Sequence, residues 1–473
     1  MSKYPYRQNR EELRELLLQY DNLKSGLSHT LIEEDSFEII IDYFDERDEL
    51  AKALEAAEFA IEQYAYSANL ILKKCDLLIA SKKYREALYF LQQVESLGSN
   101  DINLYILQTD AYLALDKQSK AAAVLEKALD YFDGEEKIEL LFELADVYDD
   151  YENFDKVFDC LKIILSIDPN NEEALYKICF WTDFTGRNEE GIKIHQEIIE
   201  EHPFNELAWF NLAAAYQGIK LYEKAIDAYQ YAVAIDEKFD YALRNMGDAY
   251  LRLRKYKEAI EVLQSVLELT RPEDVIYEAI GHCFDKLQNY AQARFNYRKA
   301  VHLNAEDTQL YYKIACTYMN EDNWENAIKN LQIAMRVHRT QPEYNLAMGQ
   351  CLMEQKKVAE AAPFFRNVIK SRPKNSNGWI ELLKCMYAAE CYEEGLDYID
   401  KALEINNTKY IFIFYKSAFL LASGKSKEAI IQLENGMHKN PKLVKKLIDL
   451  NPSILQNQLI VDTIARFKRN KSS

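Results

Sequence analysis

The 473-residue chain has little glycine and little proline, 13 and 9 residues. That scarcity excludes a collagen-like or low-complexity chain and argues against a loop-rich β-protein. Cysteine occurs eight times but never as a C-x-x-C pair, so neither a disulfide framework nor a zinc site is indicated. The scattered thiols read as small buried fillers. Long apolar runs are also missing. The longest, Tyr410 to Tyr415, is stopped by Lys416 and is far too short to span a bilayer. The opening residues MSKYPYRQNREELREL hold no apolar stretch followed by a small-residue cleavage site. The expectation is therefore a cytoplasmic protein that does not engage a membrane. Positive charge is in deficit: 58 Lys and Arg against 77 Asp and Glu, a formal net charge of −19. This weighs against nucleic-acid binding by phosphate neutralisation.

Catalytic signatures are equally sparse. There is no G-x-x-x-x-G-K-[ST], G-x-G-x-x-G or G-x-S-x-G. The seven histidines form neither H-x3-H nor H-E-x-x-H. The acids Asp146, Asp149 and Asp150 lack the glycine turn and terminal glutamate of a calcium loop. The sequence thus predicts no metal, no cofactor and no enzymatic activity. The one weak dyad is His282 with Asp285, one turn apart on a helix.

What the chain has is a period of 34. The series Trp209, Leu212, Ala213, Tyr216, Ala225, Tyr229, Ala232 returns as Leu243, Met246, Gly247, Tyr250, Ala259, Leu263, Val266. It returns again from Tyr277 to Ala300 and from Tyr311 to Ala334. Followed both ways, with one two-residue slip near Tyr131–Lys137, the register gives about twelve units from Glu34 to Leu443. Each unit holds two apolar stripes at i, i+3, i+4, i+7 spacing, which predicts two amphipathic helices per unit. Nine units carry alanine at their twentieth position, from Ala53 to Ala429, where the second helix must approach the first closely. Glycine or alanine at the eighth position, as at Gly247, Gly281 and Gly349, opens the facing groove. An aromatic at the seventeenth, such as Phe154, Tyr256 or Trp324, starts the second helix, fills the gap to the next unit and accounts for much of the tyrosine content.

This W-x2-L-G-x2-Y then A-x3-F-x2-A pattern, with proline near the unit's end, resembles the tetratricopeptide repeat. It is sharpest from Glu206 to Gln341 and weaker in the first three units and in the fifth, where Thr182 and His195 replace the usual aromatics. The resemblance implies an all-α, right-handed superhelix of antiparallel helix pairs. Residues 1–33 are expected to form an N-terminal helical cap, with a helix around Glu11–Leu23, a Ser25-Gly26 break and a capping box of Thr30 and Glu33. Residues 34–443 form the repeats. Residues 444–473 are expected to hold a capping helix, Ser453–Phe467, introduced by Asn451-Pro452, and a basic tail.

In such repeats the first helix of each unit lines a concave groove through positions 2, 5, 9, 12 and 13. Unit one places Asp35, Glu38, Asp42, Asp45 and Glu46 there. Units two and three supply Asp76 and Asp110. Unit four adds Glu139, Phe142, Asp146, Asp149 and Asp150, and unit five Glu173, Tyr176, Phe180, Asp183 and Phe184. The lining then changes to Phe210, Tyr241, Arg244, Arg252, His282, Tyr312, Met319, Met353, Lys384, Tyr387 and Phe414. The family's clamp on a C-terminal carboxylate needs Lys at position 5 with Asn at position 9, and no unit has it. Residues 34–205 hold 39 acids and 16 bases, a balance of −23.

The expected function is a non-enzymatic scaffold whose groove takes an extended or helical protein segment, basic with apolar anchors. The acids could instead serve only to keep an exposed inner face in solution. Two rivals remain: a self-assembling structural solenoid, a homo-oligomer, and a regulatory subunit of an enzyme complex.

Overall fold

The computed structural model describes residues 10–27, 31–406 and 408–469. Every regular element among them is helical. After the helix Arg10–Lys24 come twelve helical hairpins. Their second helices begin at Leu50, Tyr84 and Gln118, then at Phe154, and from there every 34 residues to Ser426. The single 36-residue step, from Gln118 to Phe154, matches the slip in the sequence. It is taken up by the first helix of hairpin four, Gly134–Asp150, which has 17 residues where its counterparts have 12 to 14.

Local chemistry sets the ends of these helices. Six of the first helices start on polar side-chain caps. Asn171 and Asn205 accept from the N–H groups of Ala174 and Ala208 at 3.0 and 2.8 Å, and Asp307 accepts from Gln309 at 2.8 Å. They end by wrapping into the left-handed region. Asp48, Lys82, Asp116, Glu152, Lys220, Arg254, Gln288, Asp322, Lys356 and Glu390 all have positive φ, and Gly186 and Gly424 do so in hairpins five and twelve. In hairpin one the Glu49 N–H then reaches the Phe44 carbonyl at 2.9 Å, which closes the helix and starts the next one.

Packing follows the small residues. Ala53, Ala87, Ala121, Ala225, Ala259, Ala293, Ala327, Ala361 and Ala429 are all fully buried. At these points one helix meets its partner with nothing larger than a methyl group between them. The aromatic at the start of the second helix bridges hairpins as expected: Phe154 lies 5.3 Å from Trp181 and 4.9 Å from Phe184 of the next one.

The chain divides into two compact units, residues 1–245 and 246–473, and the division falls inside the helix Asp240–Arg252. In the first unit, Tyr20 of the leading helix is buried against Phe44 at 6.2 Å and Phe59 at 6.0 Å. Thr30 of the expected capping box lies outside the described residues, and Glu33 makes no side-chain cap to the helix it precedes. Where like helices of successive hairpins pack on one another they are first helices, as with Ala68–Ala80 and Ile102–Ala114 or Glu172–Thr185 and Glu206–Gly218 in the first unit and Thr308–Met319 and Pro342–Glu354 in the second; among the described residues no pair of second helices packs as closely. A row packed tightly on one side and splayed on the other curves, with the tight side inward. The first helices therefore form the inner face of each unit.

The end of the second unit differs from expectation. The sequence pattern predicts one helix over Ser453–Phe467. The chain instead forms a helix at Val444–Leu450, a 3-10 turn at Pro452–Gln456 and a helix at Gln458–Arg469. Two asparagines cause the interruptions. Asn451 accepts from the Ser453 N–H and Asn457 from the Leu459 N–H, each at 3.1 Å, and each caps a fresh start.

Candidate functional site

The first helices of the first unit carry acids in register. Asp42, Asp76, Asp110 and Asp146 occupy the same position on four successive first helices. Asp35, Asp45, Glu46, Asp76, Asp110, Asp146, Asp149 and Asp150 are exposed, and Glu38 and Asp42 half-buried. These charges feel one another across hairpins. Asp76 is held above the ordinary carboxylate range first by partial removal from water and then by Asp45, with Lys73 opposing. Asp110 is raised in the same way, by partial burial and then by Asp76. Glu143 is raised by burial, then by Asp110, Asp146 and Glu139.

Two lysines partly neutralise this row. Lys73 pairs with Asp42 of the preceding hairpin. Lys177 lies 2.9 Å from Glu173 and 3.7 Å from Asp146, and its ammonium sits 5.0 Å from the centre of the Phe142 ring, which is half-buried. Both lysines, and Glu143, occupy the sixth position of their units, which the sequence reading left out. Their signal was a charged residue at position six following an acid at position nine of the unit before. Asp76 and Asp110 have no ion-pair partner among the described residues.

Beside the acids lies an aromatic surface. Tyr176, Phe180 and Phe184, four residues apart on the helix Glu172–Thr185, are 63%, 59% and 56% exposed. Phe180 and Phe184 stack at 5.6 Å, and Phe180 meets Trp181 edge-on at 5.0 Å. Asp183 is exposed between them. Further along the same unit, Phe210 is half-buried against Phe239 at 5.1 Å, and Tyr241 is 65% exposed. Arg244 lies 3.2 Å from Asp240.

The second unit does not continue this lining as the sequence suggested. Tyr312 packs on Tyr344 at 5.2 Å, and burial pushes its hydroxyl far up. Met319, Met353 and Tyr387 are partly buried against the apolar core. Phe414 is fully buried, because the segments after residue 443 cover it with Val444, Leu447 and Ile460. Lys384 pairs with Glu381 at 2.9 Å, and Arg252 with Asp248 at 3.4 Å.

Catalytic candidates fare poorly on geometry. Asp285 Oδ1 is buried with no hydrogen-bond partner, so this oxygen does not hold the His282 imidazole. The His282 imidazole is pushed below its ordinary value by burial and by Lys286 and Lys313. Burial pushes the thiols of Cys75, Cys160, Cys283 and Cys351 up to about 12, which makes them poor nucleophiles. Among the described residues no group of histidine, cysteine and carboxylate side chains is arranged to hold a metal ion, and no helix is long and apolar enough to cross a membrane.

Two family models match the chain. Residues 189–347 match the C-terminal ARM domain of tetratricopeptide repeat protein 21, and residues 345–375 match a tetratricopeptide repeat. No curated protein matches. Among solved structures, the chain is similar to the Cut9–Hcn1 hetero-tetramer of the APC/C at 13% identity. That match has a TM-score of 0.35 and covers 87% of this chain and 98% of that one. It is also similar to the C-terminal part of a repeat protein from Cytophaga hutchinsonii, at 18% identity and a TM-score of 0.44, over 54% of this chain and 99% of that one. A third is YrrB, described as having an unusual peptide-binding site, at 19% identity and a TM-score of 0.35, over 39% of this chain and 95% of that one.

Proposed function

We propose that this chain, a helical repeat protein of the tetratricopeptide type, is a non-enzymatic interaction scaffold. Its first unit holds a basic segment of another protein, extended or helical, along the inner face. One observation carries the reading: Asp42, Asp76, Asp110 and Asp146 stand in register on four successive hairpins, and the next hairpin presents Tyr176, Phe180 and Phe184. A curved wall of one charge focuses its potential and concentrates ligands of the opposite sign. Partial burial, and after it repulsion within the row, keeps Asp76, Asp110 and Glu143 above their ordinary range, so cations from a partner relieve part of an unfavourable arrangement. The exposed rings supply apolar anchor sites at low ordering cost, since the aromatics already stack on one another.

The test is affinity capture with the wild-type chain and with Asp76→Lys/Asp110→Lys/Asp149→Lys/Asp150→Lys, checked for unchanged helicity. These four acids are exposed, and none is tied to a lysine in the structure. The wild type should retain partners that carry basic segments and release most of them when salt rises from ~0.1 to ~0.5 M. The quadruple variant should retain few of them at either salt. Capture of the same partners by the folded variant would overturn the proposal.

A further inference from the structure

Splaying of the second helices leaves clefts on the outer side of each unit. One of about 680 Å³ lies in the second unit between the helices Trp324–Val337 and Val358–Ser371, over the helix Pro342–Glu354. Its floor is apolar and adaptable: Ile328, Met335, Met348, Leu352 and Phe364. Its rim is basic. Lys329, Arg336, Arg339 and Lys357 are exposed around it, against the two acids Glu325 and Glu360. Glu325 is already committed to Lys329 at 2.9 Å. The Oε1 of Gln355 is buried in the lining without a partner, an acceptor that an entering backbone N–H would satisfy.

The complementary shape occurs on the same chain. Phe204, in the link before the helix Glu206–Gly218 of the first unit, is 83% exposed. Glu201 and Glu206 line the same surface pocket as its ring, so it forms an apolar knob beside carboxylates. The charge balance of the two units points the same way. Residues 1–245 hold 25 Lys and Arg against 50 Asp and Glu; residues 246–473 hold 33 against 27.

We propose that this cleft takes the Phe204 knob of a second copy of the chain. Ring and floor bury apolar surface, and the glutamates meet Arg336, Arg339 and Lys357. The two surfaces differ, so the contact is heterologous: a pair keeps a free cleft on one copy and a free knob on the other, and association continues head to tail. The surfaces are distinct from the acidic inner face, so the proposal stands or falls separately from the scaffold reading.

Sedimentation equilibrium on the full chain tests it. The wild type at up to about 100 µM and low salt, conditions that populate weak specific contacts, should show a mass above the 55.3 kDa monomer that rises with concentration and falls with added salt. Phe204→Ser and Arg336→Glu/Arg339→Glu, all exposed positions, should each be monomeric alone. Mixed one to one they should form a heterodimer and nothing larger, because each retains the surface the other lacks. A monomeric wild type, undiminished association of either variant, or a mixture that stays monomeric would each overturn the proposal.

Discussion

The ring of Tyr297 lies directly over Gly281, so close that a Cβ on that glycine would stand 2.7 Å from both Cδ1 and Cε1. Gly281 is at the eighth position of its hairpin, and the close approach of the two helices is made by its missing side chain. Gly281→Ala adds helix propensity of about 1 kcal/mol but forces a buried ring aside, at about 1–3 kcal/mol. The net expectation is a loss of stability. Gly281→Ala/Tyr297→Leu should recover most of it, because hairpin nine uses that combination at Ala315 and Leu331, both fully buried. Urea unfolding of the two single variants and the double variant measures the coupling. Additive effects would contradict the contact.

Ala259 carries a related prediction. It is fully buried where the second helix of hairpin seven meets the first. Ala259→Leu should overpack the pair and cost about 1–3 kcal/mol, read as a lower denaturation midpoint. An unchanged midpoint would mean that the twentieth position does not set the helix separation.

The turns store strain that glycine would relieve. Lys220 and Lys356 sit at φ of 64° and 62°, a region that costs an ordinary L-residue about 1–2 kcal/mol. Lys220→Gly and Lys356→Gly should each raise stability by about 0.5–1 kcal/mol after the extra entropy of the unfolded glycine is allowed for. Gly424→Ala is the converse. A methyl group there meets nothing within 4 Å, so any loss is purely conformational, at φ of 80°. Thermal melts of the three variants should move up, up and down.

The repeat register was legible because steric rules fix it: an alanine where helices cross, an aromatic where the second helix begins, a polar cap where the first begins. Those rules placed Ala53, Ala259 and Phe154 correctly. The inner face was legible only in part. Counting five positions per unit found Asp76 and Phe180 but passed over Lys73, Lys177 and Glu143, whose long side chains reach the row from position six. Phe414 was misread for a different reason. Its exposure depends on what the segments after residue 443 cover, and no period within the repeats carries that information.

His195 replaces an aromatic in the fifth hairpin, at the position held by Tyr229 and Tyr297 in other hairpins, and it is 1% exposed with neither ring nitrogen bonded. Burial pushes its pKa down to about 3. Above the ordinary value of 6.5 both folded and unfolded chains hold it neutral, and stability is unaffected. Below 6.5 only the unfolded chain takes the proton, so stability falls by about 1.4 kcal/mol per pH unit towards pH 3. His195→Phe should remove that slope and also relieve the unpaired nitrogens. The midpoint difference between variant and wild type should therefore be larger at pH 5 than at pH 7, by about 2 kcal/mol. An equal difference at both pH values would show that the imidazole finds a partner or water when folded.

Asp76 and Asp110 should behave as residues that weaken the fold while serving binding. Both have folded-state pKa values raised above the unfolded value, first by partial burial and then by a neighbouring acid. For a carboxylate raised in this way the folded chain binds the proton more readily. The charge therefore destabilises the fold at neutral pH, and the penalty disappears as pH falls through and below the carboxylate range. Asp76→Asn/Asp110→Asn should raise the melting temperature at pH 7, with a smaller rise at pH 4 and almost none at pH 3. The same change should weaken a basic partner on the order of tenfold at low salt, about 1.4 kcal/mol, and much less at high salt. Acids that only keep the surface in solution would give the stability gain without the loss of binding, so measuring both on one variant separates the two roles.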